Sequence, residues 1–301
     1  MIFIIGVGRS GTSLLQSILN SHSKISFLPE TQFLRSYVFK KNVSINKSNY
    51  KEIISQLEKD PRFSRLNICP KIVIEKSKNM IDVYRNITNF YLKNKNKEII
   101  GDKDPKIIEN IEVLNYFFPN SKIIHIIRDP RDVVLSRTKA KWSKKYPYFM
   151  HSIIYYLQMT LGRKMLYKYF NKNNFYELKY EDLIKDPNYE LKKICNFLEV
   201  EYENNILNYY SSSKELVSKD EFEWKKETFN PVDNKNSNKW KKEFNFFKIL
   251  IIESICYSHI KENFYSENYK LFPVKFLFIS ILRPLLLVIL LFYKIKLKYV
   301  K

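Results

Sequence analysis

Short runs of β-branched and other apolar residues recur along the first two thirds of the chain, and each is followed by a stretch with helical spacing. The runs are Ile2–Ile5, Ile25–Leu28, Glu98–Ile100, Lys122–Ile127 and Phe175–Leu178. This alternation predicts an α/β fold of three layers, a P-loop-like parallel sheet of about five strands covered by helices on both faces. Between the first two runs, Ser13 to Ser21 puts Leu14, Leu15, Ile18 and Leu19 on one helical face. Asp129-Pro130 ahead of Arg131 to Ala140 is a helix start, an Asp to cap and a Pro at the first helical position. The polar, Lys/Asn-rich stretch 35–96 reads as mostly helical. Asp220 to Lys239 is charged with few apolar residues, and reads as a loop able to fold over a ligand. No internal repeat is found.

The tail breaks this pattern. Phe276 to Tyr293 is nearly all apolar, interrupted by Ser280 and by Arg283-Pro284. Lys270 and Lys275 precede it; Lys294, Lys296, Lys298 and Lys301 follow. Its length just reaches that of a membrane span. A central Arg costs roughly 2.5–3.5 kcal/mol on insertion, and Pro284 removes a helix hydrogen bond. A span, an interfacial or re-entrant pair of short helices, and a buried helix all remain open. The lysine flanks suit anionic headgroups and favour association with a membrane surface. The expected organisation is a domain over 1–269 and a membrane-associating apolar tail over 270–301.

Composition narrows the class. With 45% hydrophobic and 16% aromatic residues, the 301-residue chain can bury one sizeable core and is not a disordered chain. Lys+Arg 52 less Asp+Glu 31 gives a net charge of +21, which attracts anionic lipid, nucleic acid or phosphorylated and sulfated ligands. A general bias toward Lys, Asn, Ile and Tyr explains the charge equally well. Nothing beyond charge singles out nucleic acid, so no nucleic-acid partner is expected. Cys69, Cys195 and Cys256 form no C-x-x-C pair or metal spacing, which fits a reducing, cytoplasmic compartment. Met1 to Ile5 runs into a glycine loop without the charged start of a leader peptide. His22, His125, His151 and His259 show no metal or triad spacing and are read as structural; no metal site is expected.

Two segments carry chemistry. In Phe3-Ile-Ile-Gly-Val-Gly-Arg-Ser-Gly-Thr-Ser13 a buried strand meets a glycine-rich turn and then a helix, whose backbone N–H groups make an anion cradle. Gly6 and Gly11 stand where the glycines of G-x-x-x-x-G-K-S/T would be, but Thr12 replaces its Lys, and no obvious strand ends in an Asp for magnesium. Arg9 supplies a cation within the loop. In Lys122-Ile-Ile-His-Ile-Ile-Arg-Asp-Pro-Arg-Asp-Val-Val-Leu-Ser136, Arg128 ends a strand and Ser136 lies about two turns into the next helix, so both can reach one phosphate.

Together these segments resemble the sulfotransferase family that uses 3′-phosphoadenosine 5′-phosphosulfate (PAPS), in particular bacterial relatives of the tyrosylprotein and carbohydrate enzymes. Gly8-Arg-Ser-Gly-Thr-Ser-Leu-Leu15 resembles the family's 5′-phosphosulfate loop, which implies donor contacts at Gly8, Arg9, Ser10, Gly11, Thr12 and Ser13. Arg128 and Ser136 match the pair that holds the 3′-phosphate. Leu28-Pro-Glu-Thr-Gln-Phe33 is similar to the segment bearing the catalytic base, at Glu30, and Gly101-Asp-Lys-Asp-Pro105 to one bearing a transition-state cation, at Lys103. Tyr180 of Tyr180-Glu-Asp-Leu183 is implied to touch the nucleotide. Asn238, Lys239 and Trp240 sit like the Ser-Lys-Trp of a flap over the donor; Asn238 replaces that serine, with Ser237 one residue away. The resemblance covers roughly residues 1 to 245 and excludes the tail.

It implies metal-free, in-line transfer of a sulfuryl group from PAPS to an acceptor hydroxyl, with Glu30, Arg9 and Lys103 as the catalytic set. The 35–96 stretch would wall the acceptor cleft. A carbohydrate or glycolipid acceptor is favoured, with protein tyrosine also in range, for an enzyme at the inner face of a membrane. Two rivals are a P-loop small-molecule kinase and a catalytically dead, membrane-peripheral binding module. The first lacks the loop Lys; the second would not need Arg9, Glu30, Lys103 and Arg128 together.

Overall fold

All five apolar runs become strands of one parallel sheet: β1 (Ile2–Gly6), β2 (Ile25–Phe27), β3 (Ile99–Lys103), β4 (Lys122–Ile127) and β5 (Phe175–Lys179). Their order is β2-β3-β1-β4-β5. The computed structural model describes residues 1–211, 213, 216–217, 221–222, 225–266 and 272–299. Of the segments read above, residues 220, 223 and 224 of the 220–239 loop, and Lys270 and Lys301 of the tail's flanks, lie outside the described residues.

Successive strand residues serve opposite layers, as strand geometry requires. Ile2 and Ile4 of β1, with Ile124 and Ile126 of β4, pack against α1 (Thr12–Asn20), α8 (Tyr180–Lys185) and α9 (Pro187–Leu198). Phe3, Ile5 and Ile123 face the other way, toward α4 (Met80–Lys95) and α5 (Ile111–Phe117). A third apolar cluster joins Val7 and Ile127 to α6 (Pro130–Lys139), α7 (Tyr148–Tyr169) and α11 (Phe246–Ile255), which lies in the chain between the short α10 (Trp240–Glu243) and α12 (Tyr257–Glu262). Burying each such Ile, Leu or Phe is worth roughly 1.5–3 kcal/mol.

The strongest difference from the sequence pattern is at β3, which continues through Gly101, Asp102 and Lys103. None of these three favours a strand by itself. Pairing overrides propensity: Ile2, Phe3 and Ile4 of β1 lie opposite Gly101, Asp102 and Lys103, and a Cβ at Gly101 would meet the Phe27 ring at 2.3 Å. The 35–96 stretch is mostly helical, as its composition suggested. It holds a π-helical turn (Leu34–Val38), α2 (Tyr50–Lys59), a 3-10 turn (Phe63–Leu66), α3 (Pro70–Ile74) and α4. The tail forms one helix, α13 (Phe272–Tyr299), which runs through Pro284 instead of breaking there.

Two buried charge arrangements shape stability around the sheet edge. Asp102, 3% exposed, accepts from Tyr84 Oη at 2.9 Å, and burial pushes its carboxyl up to about 7 despite that hydrogen bond. Arg131, fully buried, bridges Asp129 (2.7 Å) and Glu253 on α11 (2.6 Å), and Glu253 reaches Lys275 of α13 at 3.2 Å. Two acids and two bases thus neutralise one another out of water.

A carboxyl with a raised folded-state pKa favours the fold most below its unfolded value and loses that contribution as pH rises through about 7. Asp102→Asn should therefore gain stability relative to the native protein as pH rises from about 4 to 8. Urea unfolding curves that keep a constant offset across that range would show that Asp102 does not titrate. Arg131→Met should cost about 3–5 kcal/mol, the scale for stranding buried acids without their partner. A loss below about 1 kcal/mol in the same measurement would mean that the network is not integral to the fold.

Candidate active site

Because every strand is parallel, all five carboxyl ends face one edge of the sheet. Along that edge stand Glu30 after β2, Lys103 ending β3, the glycine loop after β1, Arg128 after β4 and Tyr180 after β5. The chain leaves β1 toward β2 and leaves β4 toward β5, in opposite directions, so a crevice opens between β1 and β4, where open α/β sheets bind ligands.

The loop after β1 is shaped by close approach. A Cβ at Gly6 would lie 2.6 Å from the Ile126 carbonyl oxygen. Gly11, at φ 97°, precedes the first turn of α1, and a Cβ there would lie 2.3 Å from the Tyr180 ring. Only glycine fits that conformation and that gap. Arg9 holds φ 84° without being glycine, a strain of order 1–3 kcal/mol retained where a side chain is needed. The amide of Ser10 donates to the Val7 carbonyl at 3.0 Å, and the buried Ser10 Oγ has no hydrogen-bond partner among the described residues. Gly11, the cap position of α1, has no side chain to offer, so the helix start lacks the usual side-chain cap. Gly8 lies beside the Arg137 guanidinium, which sits 3.8 Å from where a Gly8 Cβ would be.

The second motif closes on the first. Asp129 caps α6 by accepting from the Arg131 amide at 2.9 Å. Arg128 donates to the Arg9 carbonyl (3.2 Å) and to the Asn236 carbonyl (2.6 Å), and its guanidinium lies 4.2 Å above the Tyr180 ring. Arg9 Nε donates to Ser136 Oγ at 2.9 Å. The structure therefore gathers Arg9, Arg128, Ser136 and Tyr180 into one cationic corner. Arg9 turns its side chain toward Ser136, whereas the resemblance assigns it to the sulfuryl oxygens.

Glu30 and Lys103 meet on the other side of the loop. The Leu28 amide donates to the Gly101 carbonyl at 2.9 Å, and Gln16 of α1 holds the Leu28 carbonyl at 2.8 Å, which fixes the turn carrying Glu30. The Glu30 carboxylate accepts from Lys103 Nζ, and also from Lys225 Nζ at 3.3 Å. Burial would raise the Glu30 carboxyl, but the two ammonium groups hold it well below the usual carboxylate range. Lys103 is 1% exposed; burial lowers its ammonium, opposed by Glu30.

Sequence reasoning did not single out Lys225, Glu221, Arg65 or Asp132. Lys225 also pairs with Glu221 (2.9 Å), which Arg65 reaches at 3.5 Å, while Arg65 donates to the Glu30 carbonyl at 3.1 Å. Asp132 of α6 accepts from the Asn238 amide (2.7 Å) and the Trp240 amide (3.0 Å). That carboxylate pins the segment Asn238-Lys-Trp240 beside the corner. Trp240 is buried with its ring 3.8 Å from the Arg131 guanidinium, so it anchors the segment, while Asn238 and Lys239 stay exposed and Lys239 Nζ donates to Asn236 Oδ1 at 2.6 Å. Ser237 Oγ donates to the Asn234 carbonyl at 3.0 Å. The spacing of Asp132 from the cap residue Asp129 would suit a capping box, but the Asp129 amide donates to Glu181 instead, and no local signal marks the hold of Asp132 on residues 238 and 240 or that of Lys225 on Glu30, 195 residues away.

Comparison with known proteins bears on the family and the fold. A model described as the sulfotransferase family matches residues 2–204. An uncharacterized protein of Aquifex aeolicus is 24% identical over 223 residues, 71% of this chain and 27% of that protein, so the chain spans about a quarter of that relative. A candidate protein-tyrosine sulfotransferase of Caenorhabditis briggsae is 24% identical over 225 residues, covering 70% of this chain and 69% of its own length. Among solved structures, the sulfotransferase domain from the curacin biosynthetic pathway superposes with a TM-score of 0.62 at 20% identity, covering 86% of this chain and 96% of that domain. That likeness is one of fold.

Proposed function

The chain belongs to the sulfotransferase family, and from that premise we propose that it moves a sulfuryl group from PAPS to an acceptor hydroxyl. The observation that carries this reading is the row along one sheet edge: the Glu30 carboxylate clasped by Lys103 and Lys225, then the glycine loop, then the corner of Arg9, Arg128 and Ser136. Such a row suits a ligand with a reactive anion in its middle and a second phosphate at one end. Ser10 Oγ, buried and unpartnered among the described residues, and the uncapped start of α1 fit an oxyanion at the loop. The donor nucleotide, when bound, supplies a sulfuryl group attached to a phosphate leaving group.

In this proposal Arg128 and Ser136 bind the 3′-phosphate, Tyr180 backs the Arg128 guanidinium, and Gly8 to Ser13 cradle the phosphosulfate. Asn238, Lys239 and Trp240, tethered by Asp132, cover the donor. Glu30 takes the acceptor's proton while the hydroxyl oxygen bonds to sulfur and the sulfur–phosphate oxygen bond breaks. Lys103, and Arg9 once its side chain leaves Ser136, offset charge on the sulfuryl oxygens and the leaving phosphate. A Glu30 held so strongly ionised is a weak base, so orientation of the hydroxyl supplies much of the rate. The exposed apolar α13 supports an enzyme at a membrane surface, and with it a hydroxyl on a carbohydrate or glycolipid as acceptor.

Arg128→Ala is expected to weaken PAPS binding by about 1.5–3 kcal/mol, the scale of charge-assisted hydrogen bonds, and to leave a nucleotide without the 3′-phosphate nearly unaffected. Calorimetric titrations showing equal losses for both nucleotides would remove Arg128 from the 3′-phosphate. Glu30→Gln should keep PAPS affinity and lower single-turnover transfer by roughly 10²–10⁴-fold, with EDTA leaving the native rate unchanged. Near-normal turnover in the Gln variant would move the base elsewhere, and strict dependence on a metal would favour the kinase reading.

A further inference from the structure

Helix α13 has two unlike sides. One side carries Lys275, Leu282, Leu286 and Tyr293, spaced by seven, four and seven residues, and it lies against the catalytic domain. Lys275 pairs with Glu253, Leu282 and Leu286 join the apolar cluster of α7 and α11, and Tyr293 Oη donates to Glu109 at 2.6 Å. Phe278 packs against the cluster of Leu135, Trp240, Ile249 and Leu250. From Lys275 to Tyr293 the helix is about 27 Å long, so it is docked over nearly the thickness of a bilayer's hydrocarbon. The other side presents Leu277, Ile281, Leu285, Val288, Leu291 and Phe292, each at least half exposed.

By length and composition Val274–Lys298 could cross a membrane. Its docking argues otherwise. A crossing helix would drag the polar surfaces of α7 and α11 into the hydrocarbon with it, and would put Arg283 near the midplane. In the structure Arg283 is exposed. The helix has no acidic residue, and its far end carries Lys294, Lys296 and Lys298. Those charges complement anionic headgroups at the same level as the apolar side.

We propose that α13 seats the catalytic domain side-on in the surface of an anionic bilayer, its axis parallel to the membrane plane, and does not cross it. This inference rests on the membrane-associated reading above. In that seat the apolar side enters to the level of the upper acyl chains, about 5–10 Å deep, along its whole length. Arg283 and the lysines stay at the water line, and the buried chain Asp129–Arg131–Glu253–Lys275 ties the seat to the start of α6 beside Arg128.

The test uses the full chain in a Cys69→Ser background, since Cys195 and Cys256 are buried. Single cysteines at Leu277, Leu285 and Phe292 carry an environment-sensitive fluorophore. Vesicles of phosphatidylcholine and phosphatidylglycerol carry nitroxide quenchers either at the headgroup or deep in the acyl chains. The expected result is equal quenching at all three positions, stronger from the shallow probe. Deep quenching at position 285 with shallow quenching at 277 and 292 would mean a crossing helix; it overturns the seat and leaves the membrane reading standing. No quenching anywhere, with no sedimentation on vesicles, overturns both. Labels shielded in solution in a protein that sediments as a dimer would mean that a second copy covers this side, which also overturns the proposal.

Discussion

An ammonium group at Lys103 lies almost wholly out of water, and such a charge is tolerable only beside an opposite one. Glu30 supplies it, and the rest of the site follows from making that contact possible. Lys103 must end a central strand and Glu30 must follow the outer strand next to it, which requires β2 and β3 to run parallel and in register. The same pair is chemically double-edged. Lys103 and Lys225 keep Glu30 ionised and aligned, at the expense of its basicity. In the proposed transfer such a pair would contribute by holding groups in place more than by strong proton transfer.

Parallel strands also explain why the cationic groups and the glycine loop converge. Each strand delivers its following loop to the same edge, so residues far apart in sequence arrive side by side. The cationic corner is then built by contact between loops: Arg128 on the Arg9 carbonyl, Arg9 on Ser136, and the Tyr180 ring under Arg128 and against Gly11. A glycine at position 11 is demanded twice, by its positive φ and by the ring. Asp132 extends the assembly by holding the Asn238-Lys-Trp240 segment through backbone amides, which do not depend on the side chains it holds.

Much of this was legible in the chain. Apolar β-branched runs marked all five strands, and Asp129-Pro130 marked the start of α6, because local burial and capping leave local signatures. The length of β3 was not, since Gly101, Asp102 and Lys103 are recruited by pairing with β1 and not by propensity. Lys225 on Glu30 and Lys275 on Glu253 were equally silent: an ion pair between distant residues leaves no periodicity. Whether the tail breaks at Pro284 stayed open in the sequence for a third reason. Pro284 removes one hydrogen bond, but the partner surface of α7 and α11 fixes the axis on both sides of it.

The strand order has a consequence for how the chain assembles. β3 occupies the slot between β1 and β2 although both are made before it. Until it arrives, β1 has an open edge where β3 belongs, another where β4 belongs, and β2 has nothing to pair with. Closing such long connections is slow, and unpaired apolar strands invite association with other chains in the interval. A nascent chain halted before residue 99 would already hold the glycine loop and Glu30, yet the gap that brings them into one crevice would still be empty.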